Sequence, residues 1–221
     1  MRELSLTLGA APEPLHLLCI GAHADDVEIG AGGTVLSLLE RHPGSHVTWA
    51  VFAGSGARAA EARASAEELL TAAASVDIHT LGMRDGFLPY QGAAAKEAIE
   101  RLRETLPNEP DVILTHALHD RHQDHRSLAE LTWNTWRDHL VLAYEVPKFD
   151  GDLVPPNAYV PLAAEVVERK LDHLRRHFAS QRGRDWYDED TFRGLMRVRG
   201  LECRSPSRFA EAFHALKFVV R

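Results

Sequence analysis

Two short stretches hold an unusual density of groups able to do chemistry. GAHADDVEIGAGG (21–33) sets His23, Asp25 and Asp26 directly after the apolar run LHLLCI. THALHDRHQDHRS (115–127) carries His116, His119, Asp120, His122, Asp124 and His125. Adjacent carboxylates repel unless a cation neutralises their field. A divalent metal held by His23, one of the two aspartates and a histidine of the second stretch would supply that cation. Two imidazoles and a carboxylate, with positions left open for water, form the donor set of a catalytic zinc site. The remaining aspartate then lies beside the water and is free to take its proton. The ion lowers the pKa of such a water toward about 7 and polarises a carbonyl oxygen, and a general base contributes on the order of 10²–10⁴-fold.

Each cluster also has a plainer explanation. The first is an acidic turn whose aspartates cap a helix; the second is a polar loop of solvated histidines. Either alone arises readily by chance. Both together, each at the carboxyl end of a strand, favour the metal reading. His116 and His119 are assigned to the solvated class, and Asp120 to a hydrogen-bonding support.

The elements that must position these residues alternate along the chain. Strands are expected at 16–22, 46–53, 76–82, 111–116 and 141–146, and helices at 32–42, 57–75, 93–106 and 127–140. Short apolar runs separated by helices predict right-handed βαβ units and a mostly parallel sheet covered on both faces. The fold class is therefore α/β, a Rossmann-like three-layer α/β/α fold, and residues 1–221 read as a single domain. In such a sheet the reactive loops lie beyond the carboxyl ends of the strands, where both clusters fall. Beyond Val146 the pattern breaks: PKFDGDLVPPNAYVP, with four prolines, reads as an irregular loop. A helix is expected over 163–178, helix near the end of 183–200, and a closing strand over 213–220.

Bulk properties narrow the class of function. The formal net charge of −7 argues against a nucleic-acid partner, which calls for a basic surface. Pro12, Glu13 and Pro14 interrupt any leader-like apolar stretch near the start, and no uninterrupted apolar run approaches the roughly 20 residues of a transmembrane segment. With only Cys19 and Cys203 the chain has no disulfide framework, so a reducing, cytoplasmic location is expected.

The two motifs resemble those of the PIG-L/LmbE-like family of zinc-dependent N-deacetylases, which carry (A)HPDD after the first strand and HPDH later. Here they stand as Ala22-His23-Ala24-Asp25-Asp26 and His122-Gln123-Asp124-His125. The resemblance implies that His23, Asp26 and His125 hold Zn2+, with another divalent metal such as Fe2+ also meeting that donor set. It implies Asp25 as general base and a protonated His122 that meets the oxyanion. Asp124 would orient and charge His122. Weaker echoes are Glu28, Gly32-Gly33-Thr34, Arg58 with Glu61, Asp85-Gly86, Pro156-Asn157 and HFASQ (177–181). Among them Glu28, Arg58 and Asp85 are expected at the substrate. The family's prolines are replaced by Ala24 and Gln123, which removes a φ restraint from each turn. The implied activity is hydrolysis of the acetamide of an N-acetylated amino-sugar or glycoconjugate. A homo-oligomer is compatible with the resemblance.

Three other functions compete. A dinucleotide-binding module needs glycines inside the first βα turn and an acidic residue ending the second strand. That turn holds His23, Asp25 and Asp26 instead, and the strand ends in VFAGSG. A metal or sugar carrier without catalysis gives Asp25 no task. A hydrolase of the same fold acting on another amide or acyl group stays open.

Overall fold

The computed structural model describes residues 13–217. The first twelve residues, including Pro12, and residues 218–220 of the expected closing strand lie outside it. Seven strands form one sheet in the order β3-β2-β1-β4-β5-β7-β6. They are β1 (His16–Gly21), β2 (His46–Ala53), β3 (Ser75–Met83), β4 (Val112–His116), β5 (Val141–Tyr144), β6 (Ala158–Pro161) and β7 (Ala210–Ala215). Strands β1 to β5 are mutually parallel, and β7 runs antiparallel between β5 and β6.

The strand sequences dictate the layering. Neighbouring side chains point to opposite faces, so a strand covered on both sides must be apolar at every position. Leu17 and Cys19 of β1 and Val47, Trp49 and Val51 of β2 face one core. Leu18, Ile20, Ala50 and Phe52 face the other. The first core is covered by α1 (Asp26–Arg41), α2 (Ala57–Leu69), α5 (Ala164–His177) and α6 (Glu189–Cys203). The second is covered by α3 (Gly92–Thr105) and α4 (Gln123–Thr135). This is the expected three-layer α/β/α arrangement.

Five elements differ from expectation, the first being α2, which ends at Leu69 and not at residue 75, where β3 already begins. Helix α1 begins at Asp26 rather than residue 32, so Gly30, Gly32 and Gly33 lie inside it. None is a turn residue, and Gly30 and Gly33 are close contact points. A Cβ on Gly30 would stand 2.7 Å from Tyr144 Cγ and 2.9 Å from the Glu145 carbonyl, and one on Gly33 3.0 Å from Glu211 Oε1. Helix α4 starts four residues early because His122 caps it, its ring Nδ1 accepting the Asp124 N–H. The segment read as irregular contains the strand β6, held at the sheet edge by Asn157. That side chain donates to the Ala215 carbonyl (2.9 Å) and accepts the Ala215 N–H (2.8 Å). The closing strand is shorter and earlier than expected, at 210–215.

One buried ion pair locks α1, α5 and β7 together. Lys170 Nζ donates to Glu211 Oε1 (2.6 Å) and to the Ile29 carbonyl (2.5 Å), while the Glu211 carboxylate accepts the N–H groups of Gly33 (2.8 Å) and Thr34 (2.6 Å). Both side chains are 3% exposed. Removing one partner leaves an uncompensated buried charge. Lys170→Met should therefore lower the unfolding free energy in urea by about 3–5 kcal/mol; a loss well under 1 kcal/mol would show that the pair does not hold the layers together.

Candidate metal and active site

Strands β1 and β4 are hydrogen-bonded neighbours, with Leu17 opposite Val112 and Cys19 opposite Leu114. The chain leaves β1 toward one sheet edge and β4 toward the other, so a crevice opens between the loops that follow them, where ligands of open α/β sheets bind. Residues 22–26 and 117–125 line it. Each loop runs into a helix, α1 or α4, whose N-terminus adds partial positive charge.

His23, Asp26 and His125 meet there. His23 Nδ1 lies 3.1 Å from His125 Nε2 and 3.3 Å from Asp26 Oδ2, and His125 Nε2 lies 3.4 Å from Asp26 Oδ1. All three residues are buried. The outer partners fix which ring nitrogens carry hydrogen. His125 Nδ1–H donates to Asp120 Oδ2 (2.9 Å), and His23 Nε2–H faces Asp124 Oδ2 (3.2 Å) and Asp85 Oδ1 (3.1 Å). In the neutral rings the inner nitrogens present lone pairs to each other and to a carboxylate, so the arrangement calls for positive charge, as protons on the rings or as a metal ion. A tetrahedral ion with bonds of about 2.0–2.1 Å separates its donors by about 3.3 Å. The 3.1 Å between the two ring nitrogens, and the 3.3 and 3.4 Å from them to Oδ2 and Oδ1 of Asp26, lie near that spacing.

The same field shows in the proton affinities. Burial opposes charging of His23 and His125, but the Asp26 carboxylate, with Asp124 and Asp85 at His23 and Asp120 at His125, raises both above the ordinary histidine value. Burial also opposes ionisation of Asp26, and the His125, His23 and His116 rings outweigh it, holding its carboxyl well below the usual range.

Asp25 stands at the N-cap of α1, yet its side chain makes no capping bond. Its Oδ1 faces Arg58 Nη2 at 3.4 Å, and Oδ2 has no partner among the described residues. Burial, reinforced by the charge on Asp26, pushes the carboxyl up to about 6. A buried carboxylate with a spare oxygen and a raised pKa is a proton acceptor poised near neutrality.

His122 lines the same crevice, its ring centre 4.9 Å from that of His23 and 4.5 Å from that of His125. Burial and the His125 and His23 rings lower its pKa. With Nδ1 accepting the Asp124 N–H (3.3 Å), Nε2 carries the hydrogen of the neutral ring. Asp124 meets His122 through its backbone N–H, and its carboxylate acts on that ring by charge alone. Its oxygens accept the N–H groups of Gly86 (2.7 Å) and Leu88 (3.0 Å) and face His23. Gln123, where the family has proline, donates to the Gly86 carbonyl (2.5 Å). This side-chain tie to the 84–88 loop takes over the lost backbone restraint.

The three residues expected at the substrate separate. Arg58 and Asp85 reach the mouth, joined at 2.8 Å, and Asp85 is half-exposed. Glu28 does not reach it. It is 1% exposed inside α1, where its Oε1 accepts the Ser65 hydroxyl (2.5 Å) and burial lifts its carboxyl to about 8. Trp186, partly buried, packs against the core beside Tyr187.

Sequence reasoning misplaced His116 and missed Lys148. His116 ends β4, fully buried, stacked on His125 at 3.9 Å and accepting the Ala22 N–H at Nε2 (2.9 Å). Its place as the last residue of an apolar strand was the available signal. His119, by contrast, packs on His214, at 4.5 Å between ring centres. Lys148 Nζ bridges Asp120 Oδ1 (3.0 Å) and Asp152 Oδ2 (2.7 Å), tying the 147–157 segment to the partner of His125. No spacing rule points to it.

Comparison with known proteins decides the family. A sequence model described as PIG-L, GlcNAc-PI de-N-acetylase, matches residues 18–136, more than half of the chain and both motifs. The chain belongs to the PIG-L family. A curated relative, the uncharacterized deacetylase YaiS of Escherichia coli (strain K12), is 25% identical over 183 residues, covering 78% of this chain and 96% of its own. Among solved structures, N,N'-diacetylchitobiose deacetylase from Pyrococcus horikoshii superposes with a TM-score of 0.69 at 22% identity, covering 91% of this chain and 83% of that one. GalB, the 4-carboxy-2-hydroxymuconate hydratase of Pseudomonas putida KT2440, superposes with a TM-score of 0.70 at 17% identity, covering 94% and 98%. These two likenesses concern the fold.

The outer carboxylate on His125 is testable. Asp120→Asn should weaken Zn2+ binding about 10–100-fold, measured by competition with a chromogenic chelator. Unchanged affinity would remove Asp120 from the support of the site.

Proposed function

We propose that this chain is a metal-dependent N-deacetylase that hydrolyses the acetamide of an N-acetylated amino-sugar, with Zn2+ as its ion and Fe2+ as the alternative. The observation that carries the proposal is the Asp25 Oδ2 atom, without a partner among the described residues, beside the inward-facing donors of His23, Asp26 and His125. Membership in the PIG-L family and the deacetylase named among its relatives support it. The fold alone does not decide, since a hydratase shares it.

His23, Asp26 and His125 hold the ion. When bound, it supplies positive charge that acidifies water and polarises the amide carbonyl. Asp25 Oδ2 accepts a proton from the attacking water, whose oxygen bonds to the acyl carbon. His122 Nε2–H, fixed by the helix cap, donates a hydrogen bond to the oxygen on which negative charge develops. The proton held by Asp25 passes to the departing nitrogen as the C–N bond breaks, leaving acetate and a free amine. Arg58 and Asp85, at the mouth, present a donor and an acceptor to sugar hydroxyls, and Arg58 also keeps Asp25 charged. Among the described residues no helix is long and apolar enough to cross a membrane. We place the enzyme in the cytoplasm, acting on a small-molecule substrate.

Released amine measured across a panel of N-acetylated sugars, with and without chelator, tests the activity; release that survives chelation would contradict the metal's part. Asp25→Ala should retain the ion and lose about 10²–10⁴-fold in kcat. Near-normal turnover in that variant would reject Asp25 as the base.

A further inference from the structure

A second set of donors lies outside this crevice, between the ends of α2 and α5. His173 and His177 stand one helical turn apart on α5, a spacing that puts both on one face. Their ring centres are 4.3 Å apart. Glu68, near the end of α2, faces them: its Oε2 is 2.9 Å from His177 Nε2, and its Oε1 is 4.0 Å from His173 Nδ1. One donor atom from each residue lies within 4.8 Å of the other two. His173 is buried, His177 half-buried and Glu68 exposed, so the cluster opens to solvent on one side.

The hydrogen bonding behind His173 gives the cluster direction. The Ser65 hydroxyl donates to Glu28 Oε1 (2.5 Å), so its oxygen accepts from His173 Nε2–H at 2.8 Å. That assigns the hydrogen of His173 to Nε2 and leaves Nδ1 as a bare lone pair turned toward a carboxylate oxygen. A metal-binding histidine is held in the same way, its second nitrogen donating to a fixed acceptor. Arg176 is the cation now resting on Glu68, with Nη2 at 2.6 Å from Oε1, and its Nε is bonded to Asp172 Oδ2 at 2.7 Å. A metal ion can replace it on Glu68 while the guanidinium keeps Asp172.

We propose that Glu68, His173 and His177 form a second cation site, suited by its two imidazoles and one carboxylate to a first-row divalent ion such as Zn2+, which staples α2 to α5. The site shares no residue with the crevice and does not depend on the deacetylase reading. Its consequence is mechanical. Helix α2 carries Arg58 in its first turn, so an ion that pins the far end of this helix to α5 steadies the residue at the mouth of the crevice.

The tag-free chain, stripped with a chelator and titrated with Zn2+ alone, should bind two equivalents. His177→Ala or Glu68→Gln should reduce this to one. Asp26→Ala should also leave one, and Asp26→Ala combined with His177→Ala should leave none. Zinc should raise the Tm of Asp26→Ala and not that of the double variant. Arg176→Met should tighten the second equivalent about two- to fivefold, the worth of one exposed ion pair. A wild-type chain that saturates at one equivalent, lost in Asp26→Ala, would overturn the proposal, as would equal binding by Asp26→Ala and the double variant. One equivalent that survives Asp26→Ala and disappears in His177→Ala would uphold this site and sink the crevice as the metal centre.

Discussion

Two imidazole lone pairs and a carboxylate facing one another at 3.1–3.4 Å are electrostatically untenable without positive charge among them. Solvent does not relieve the conflict, because His23, Asp26 and His125 are 7%, 3% and 2% exposed. Protons or a metal ion must supply the charge. The field that draws protons onto His23 and His125 also draws a divalent cation, so the two compete, and metal binding releases protons. Asp25 gains its character from the same crowding, since a second carboxylate beside Asp26 is hard to ionise in a buried place.

The architecture exists to hold that conflict still. Parallel pairing of β1 with β4 brings together two loops about a hundred residues apart in sequence. Glycines at 30 and 33 let α1 lie close against Tyr144, Glu145 and Glu211, which fixes the direction in which Asp26 leaves the sheet. The Lys170–Glu211 pair clamps the same helix from behind. On the opposite side, the 84–88 loop grips Gln123 and Asp124, and Lys148 grips Asp120. Each donor in the crevice is therefore set by a neighbour drawn from a different element.

Much of this was legible in the sequence because it depends on local pattern. Runs of six to eight residues identified five parallel strands, and the two clusters at their ends were found by residue type alone. The misreadings have physical causes. Glycines 30, 32 and 33 look like a turn when only the chain is considered, whereas α1 runs through all three, and close contacts from Tyr144, Glu145 and Glu211 demand those at 30 and 33. Four prolines concealed β6, which at an edge position forms few ladder bonds and tolerates Pro161 at its end. Glu28 belongs on a substrate list only until its helix is seen to turn it inward, onto Ser65. The surroundings of Lys148, of His116 and of the Glu68–His173–His177 cluster depend on contacts between elements far apart in the chain.

The central claim is that an ion sits among His23 Nδ1, the Asp26 carboxylate and His125 Nε2. Crystals grown with Zn2+ and measured at the zinc absorption edge test it most directly. An anomalous peak about 2.0–2.2 Å from all three atoms is the expected result. A map with no peak there, the three side chains still touching one another, would contradict it.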